Sequence, residues 1–137
     1  MDTEKMIREA MRARENAYAP YSGFRVGACL ETESGKLYCG CNMENASYPA
    51  GICAERAAVA NAVSHGERVF SGIAIVGGGK DGTVICPPCG ICRQTLSEFC
   101  GGDFPIILSD GSRLEKYNLS ELLPCNFGAD NMSGGEK

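Results

Sequence analysis

Two short stretches hold the residue types that can do chemistry: Cys53-Ala54-Glu55-Arg56 and Pro88-Cys89-Gly90-Ile91-Cys92. They offer three thiols and one carboxylate. Three thiolates leave a tetrahedral zinc one open position, which suits a catalytic metal rather than a structural one. Glu55, two residues beyond Cys53, can then act on a water held in that position. Alone, Glu55 reads rather as an exposed glutamate favoured by the dipole of a helix start. Beside the three cysteines, the acid–base role fits better.

Cys86 offers alternatives. Cys86, Cys89, Cys92 and Cys53 can be drawn as a closed four-cysteine structural site, and Cys86 with Cys89 as a redox pair. Against both, Pro87 and Pro88 keep their segment extended. The three-residue step from Cys89 to Cys92 puts those sulfurs on one side of a helical turn. Cys53, Cys89 and Cys92 are the expected ligands, with Cys86 outside the set. Arg56 is a candidate to donate to the sulfurs and drain their charge; its plain alternative is a surface ion pair.

These stretches need helix starts, whose partial positive charge favours thiolates. The pattern predicts helices over residues 53–64 and 89–100. Gly66 stands where a left-handed cap ends the first, and Gly101-Gly102 closes the second. His65, the only histidine, reads as a solvated end residue. Upstream, residues 3–18 read as an amphipathic helix capped by Asp2 or Thr3 and stopped by Pro20. Residues 24–32 and 36–42 read as strands of a hairpin turning at Ser34-Gly35. Residues 72–76 and 105–109 are short apolar strands. Asp110-Gly111 is a hairpin turn leading to an antiparallel strand near 112–117, and residues 119–123 form a short helix. The expected fold is α/β: three α-β-α layers around a mixed sheet of about five strands, the last pair antiparallel.

The 137 residues suit one domain, expected over residues 1–126, with a partly flexible tail over 127–137. Net charge is −4, and no basic stripe is present, which argues against a nucleic-acid partner. No stretch reads as a secretory signal or a membrane span. The nine cysteines are an odd number, so they cannot all pair within one chain. A cytoplasmic protein with reduced thiols is expected. Cys29, Cys39, Cys41, Cys100 and Cys125 read as small buried hydrophobes.

Taken together, the two motifs resemble the zinc-dependent nucleoside and nucleobase deaminases, in which the glutamate is not a metal ligand. Further pieces are similar to the short, homotetrameric cytidine deaminases: Ala19-Pro20-Tyr21-Ser22, Phe24-Arg25-Val26-Gly27-Ala28, Gly40-Cys41-Asn42-Met43-Glu44-Asn45-Ala46, Cys92-Arg93-Gln94 and Glu121-Leu122-Leu123-Pro124. The resemblance covers nearly the whole chain. It implies one zinc per subunit on Cys53, Cys89 and Cys92, with Arg56 beside the sulfurs. Zinc-bound hydroxide would attack C4 of cytidine or 2'-deoxycytidine while Glu55 shuttles protons, leaving uridine or 2'-deoxyuridine and ammonia. Asn42 and Glu44 would hold the ribose, Phe24 would stack on the pyrimidine, and Ala54 would line the base site. Ala46 and Tyr48 would complete a neighbouring subunit's site, and Phe127 would cap one across an interface. Two rivals are a blasticidin-type nucleoside deaminase and a non-enzymatic, zinc-stabilised binding module.

Overall fold

The computed structural model describes residues 1–132. Residues 133–137, the end of the tail read as flexible, lie outside the described residues. The strands are β1 (Arg25–Thr32), β2 (Leu37–Cys41), β3 (Phe70–Gly78), β4 (Pro105–Ser109) and β5 (Leu114–Asn118). The helices are α1 (Thr3–Arg14), α2 (Ala54–Ser64), α3 (Gly90–Phe99), α4 (Leu119–Leu122) and α5 (Ala129–Met132). The sheet runs β2-β1-β3-β4-β5. Among the described strands, β3 and β4 alone pair in parallel, and the final pair, β4 and β5, is antiparallel.

Alternation along β1 builds the layers. Val26, Ala28 and Leu30 point to the face covered by α2 and α3, where they meet Ala58, Ala62, Ile73, Ile75 and Leu96. Cys29 points the other way, with Met6 and Ala10 of α1. Burying each large aliphatic side chain in these layers contributes about 1.5–3 kcal/mol before entropy is charged against it. Two glycines let the helices come close. A Cβ on Gly27 would collide with the Ala10 carbonyl oxygen of α1. One on Gly40 would collide with the Ala58 backbone nitrogen and stand 2.7 Å from the Ala54 carbonyl oxygen.

α1 is shorter than its apolar pattern suggests. It starts at the Asp2 cap, whose side chain accepts from Lys5 N–H at 3.1 Å, and stops at Arg14 rather than near residue 18. Tyr18 is drawn into a bridge with Met43: its N–H donates to Asn42 O, and Glu44 N–H donates to its carbonyl. That pairing needs extended backbone, which a continuing helix cannot supply. β3 is longer than expected, because Gly77 and Gly78 pair with Val26 and Arg25 instead of opening a loop. The tail holds one helical turn, α5, where the sequence suggested loose chain. The cysteines read as buried also need correction. Cys29 is buried, but Cys39, Cys41 and Cys100 are only partly so, and Cys125 is exposed.

Candidate active site

Two helix starts bring three cysteines together. Cys53 is the N-cap of α2, Cys89 is the N-cap of α3, and Cys92 lies in the first turn of α3. Neither N-cap side chain is spent on its own helix, so both sulfurs stay free to point between the helices. The Cys53 and Cys89 sulfurs are 3.6 Å apart and those of Cys89 and Cys92 3.4 Å apart. All three lie within 4.8 Å of one another. Sulfurs placed tetrahedrally about 2.3 Å from zinc would stand about 3.8 Å apart, so the donors fit that ion with little movement.

Electrostatics favour a thiolate at Cys53. The Cys53 thiol is lowered to about 5, chiefly by its hydrogen bond with Cys92, and Cys92 is raised by the same bond. Arg56 Nη2 donates toward Cys53 Sγ at 3.9 Å. Its buried Nε has no partner among the described residues and is left as spare donor capacity. Glu55 follows Cys53 in the first turn of α2 and is only 4% exposed. Burial lifts its carboxyl to about 7, the range where a group gives and takes protons near neutrality.

Cys53 and Cys89 of the cluster line a cavity of about 660 Å³, within the range of small-molecule sites. Phe24, Asn42, Glu44, Tyr48, Ala54, Glu55 and Arg56 all line it. Asn42 is clamped to the start of β1: its Oδ1 accepts from Val26 N–H at 2.8 Å, and its Nδ2 donates to Phe24 O at 2.8 Å. Glu44 Oε1 accepts from the N–H groups of Tyr21 and Ser22 at 2.9 and 3.1 Å, and Oε2 accepts from the Ser22 hydroxyl. These donors, the Ser22 hydroxyl first, hold the Glu44 carboxyl below its ordinary value. Tyr48 is 80% exposed at the rim, its ring edge-on to Tyr21.

Two expected residues stand elsewhere. Ala46 is exposed outside this cavity. Phe127 borders a separate hollow with Gln94 and Met132, its carbonyl accepting from Gln94 Nε2 at 2.8 Å.

Three contributors escaped sequence reasoning. Cys86 is not in the sulfur cluster, yet it walls the cavity next to Gly77 of β3. Burial pushes its thiol up to about 11. The signal was present in Pro87 and Pro88, whose extended run carries the wall down to Cys89. Ser22 orients Glu44, which no spacing rule announces. Arg93 clamps the second motif from behind, donating to Pro88 O at 2.7 Å and Leu122 O at 2.6 Å.

The fold and the three-cysteine cluster define a zinc-binding α/β protein with a buried carboxylate close by its metal position. Residues 1–107 match the family model described as the cytidine and deoxycytidylate deaminase zinc-binding region, and the chain belongs to that family. It is 46% identical to the cytidine deaminase of Sporosarcina psychrophila, over 97% of this chain and 96% of that one. Identity to the cytidine deaminase of Halalkalibacterium halodurans is 43%, over 97% and 99%. A crystal structure of cytidine deaminase from Burkholderia pseudomallei superposes with a TM-score of 0.85 at 42% identity, covering 93% of this chain and all of that one.

Proposed function

We propose that this chain hydrolyses free cytidine and 2'-deoxycytidine to uridine and 2'-deoxyuridine, releasing ammonia. The observation that carries the reading is a buried carboxylate, Glu55, two residues beyond Cys53 of a three-sulfur cluster, at a cavity of small-molecule size. A zinc ion held by Cys53, Cys89 and Cys92 supplies Lewis acidity and an acidified water. Glu55 takes a proton from the attacking water, delivers it to ring N3, and later gives one to the departing amine. Its neutral-range titration suits it to both directions. Arg56 draws charge from the sulfurs, offsetting the surplus negative charge of three thiolates.

Substrate recognition follows from the cavity wall. Phe24 stacks on the pyrimidine, and Ala54, with no bulk to clash, lets the base approach the sulfurs. Asn42 and Glu44 face the ribose hydroxyls with the hydrogen-bonding capacity their backbone partners leave. Tyr21, Met43 and Tyr48, which line the cavity, are exposed. That apolar surface suits a homotetramer in which Ala46, Tyr48 and Phe127 serve neighbouring sites. No described helix is long and apolar enough to cross a membrane, and a cytoplasmic salvage enzyme with reduced thiols fits the reading. A closed, non-enzymatic zinc module would need a fourth ligand, and Cys86 lies outside the cluster.

A panel of cytidine, deoxycytidine, deoxycytidylate and blasticidin, with ammonia release as readout, tests the reading. Turnover should be confined to the two free nucleosides. Zinc-loaded protein active only on deoxycytidylate or blasticidin, or on none, would overturn it.

A further inference from the structure

A second pair of cysteines has no part in this chemistry. Cys29 on β1 and Cys39 on β2 are directly opposed in the antiparallel ladder. In the same ladder, Asn42 N–H donates to Val26 O, and Thr32 N–H donates to Lys36 O. Antiparallel pairs alternate between hydrogen-bonded and non-hydrogen-bonded. Val26/Asn42 and Thr32/Lys36 are hydrogen-bonded, so Cys29/Cys39 falls on a non-hydrogen-bonded position. There opposed Cα atoms stand about 4.5 Å apart. Disulfides accept separations of about 4.4–6.8 Å. Both side chains lie on the face beneath α1, with Met6 and Ala10.

The two thiols differ in access. Cys29 is fully buried. Cys39 is partly exposed and lines a surface hollow of about 310 Å³ with Glu9, Arg12 and Asn16. Cys41 borders the same hollow, but it opposes Gly27 and is only a diagonal neighbour of Cys29. Diagonal partners stand about 7–8 Å apart, beyond disulfide reach.

We propose that Cys29 and Cys39 form a reversible cross-strand disulfide, made by exchange with a low-molecular-weight disulfide of the glutathione type. The Cys39 thiolate attacks one sulfur of that reagent, releasing one thiolate and leaving a mixed disulfide on Cys39. Cys29 then loses its proton to solvent and attacks the Cys39 sulfur, expelling the second thiolate. Two protein thiols are oxidised, and one reagent disulfide is reduced to two thiols. The order follows from access, since Cys39 is partly exposed and Cys29 is fully buried, and the interaction between the two sulfurs acts the same way, lowering Cys39 and raising Cys29. Once Cys39 is capped, its negative charge no longer holds the Cys29 proton. A dithiol reductant reverses both steps.

The test is peptide mapping of the full, zinc-loaded chain after exposure to oxidised glutathione. Trypsin separates residues 26–36, whose only cysteine is Cys29, from residues 37–56, which carry Cys39, Cys41 and Cys53. The two peptides should appear joined, short of two hydrogen atoms, and should part again with dithiothreitol. The link should survive Cys41→Ala. In Cys29→Ala it should vanish, leaving glutathione trapped on Cys39. A Cys29 that stays fully alkylatable after denaturation, or a link that disappears in Cys41→Ala, would overturn the proposal.

Discussion

The sulfurs of Cys53 and Cys89 lie 3.6 Å apart, although each residue caps a different helix and the whole of β3 runs between them. Two N-caps whose side chains make no capping bond to the backbone of their helices leave their sulfurs available for a ligand between them. The metal site is therefore a product of helix placement, and helix placement depends on the sheet beneath.

Removing Cys92 should be far more damaging than removing Cys86. Cys92→Ala takes away one of three clustered donors; Cys86→Ala only trims the cavity wall. Bound zinc, measured by elemental analysis after dialysis, should fall sharply in the first and stay near one per chain in the second. Equal zinc loss in both would argue for a closed four-cysteine site.

Arg56→Gln should fold but hold zinc less tightly or turn over more slowly. It loses a charged donor at the Cys53 sulfur, the kind of bond that contributes about 1.5–3 kcal/mol. A fall on the order of tenfold or more in kcat or zinc affinity is expected. Steady-state kinetics with a competing chelator reads both. Unchanged values would return Arg56 to a surface role.

Gly40→Ala tests the packing that aims α2. The new methyl would collide with Ala58 N and crowd the Ala54 carbonyl, in the turns that carry Glu55. Forcing a methyl into so tight a contact costs roughly 1–3 kcal/mol or more. A lower unfolding midpoint together with lost activity is expected. Wild-type stability would mean that α2 can lift off β2 freely.

Asp110 supplies a pH signature. Its Oδ1 accepts from Arg113 and Ser112 N–H, and these bonds hold the carboxyl below its ordinary value. A depressed folded pKa gives stability that is present above the unfolded value, near 3.8, and is lost as pH falls through the folded one. Urea midpoints taken from pH 5 down to about pH 2 should therefore fall more steeply for wild type than for Asp110→Asn. Parallel curves would remove Asp110 from the acid response.

Much of this was legible in sequence because the deciding signals are local. Ligand chemistry needs only residue type and short spacing, so Cys53, Cys89 and Cys92 stood out before any fold was known. The β4–β5 pair was marked by Asp110-Gly111, although the loop takes four residues, with Ser109 opposite Leu114. What failed was non-local. α1 stops at Arg14 because Tyr18 pairs with residues 42–44, a contact no helical periodicity encodes. The sheet order and the parallel β3–β4 pair depend on crossovers that hairpin signals do not reach. No local signal places Cys86 in the cavity wall, a position it takes only because β3 comes alongside.

Glu55 remains the residue on which the functional reading turns. The most direct measurement is the rate of cytidine loss by zinc-loaded Glu55→Gln against wild type, at equal zinc content. Losing a general acid–base group should lower turnover by on the order of a hundred- to ten-thousand-fold while cytidine still binds. Near-normal turnover by Glu55→Gln would contradict the proton-carrying role and the mechanism built on it.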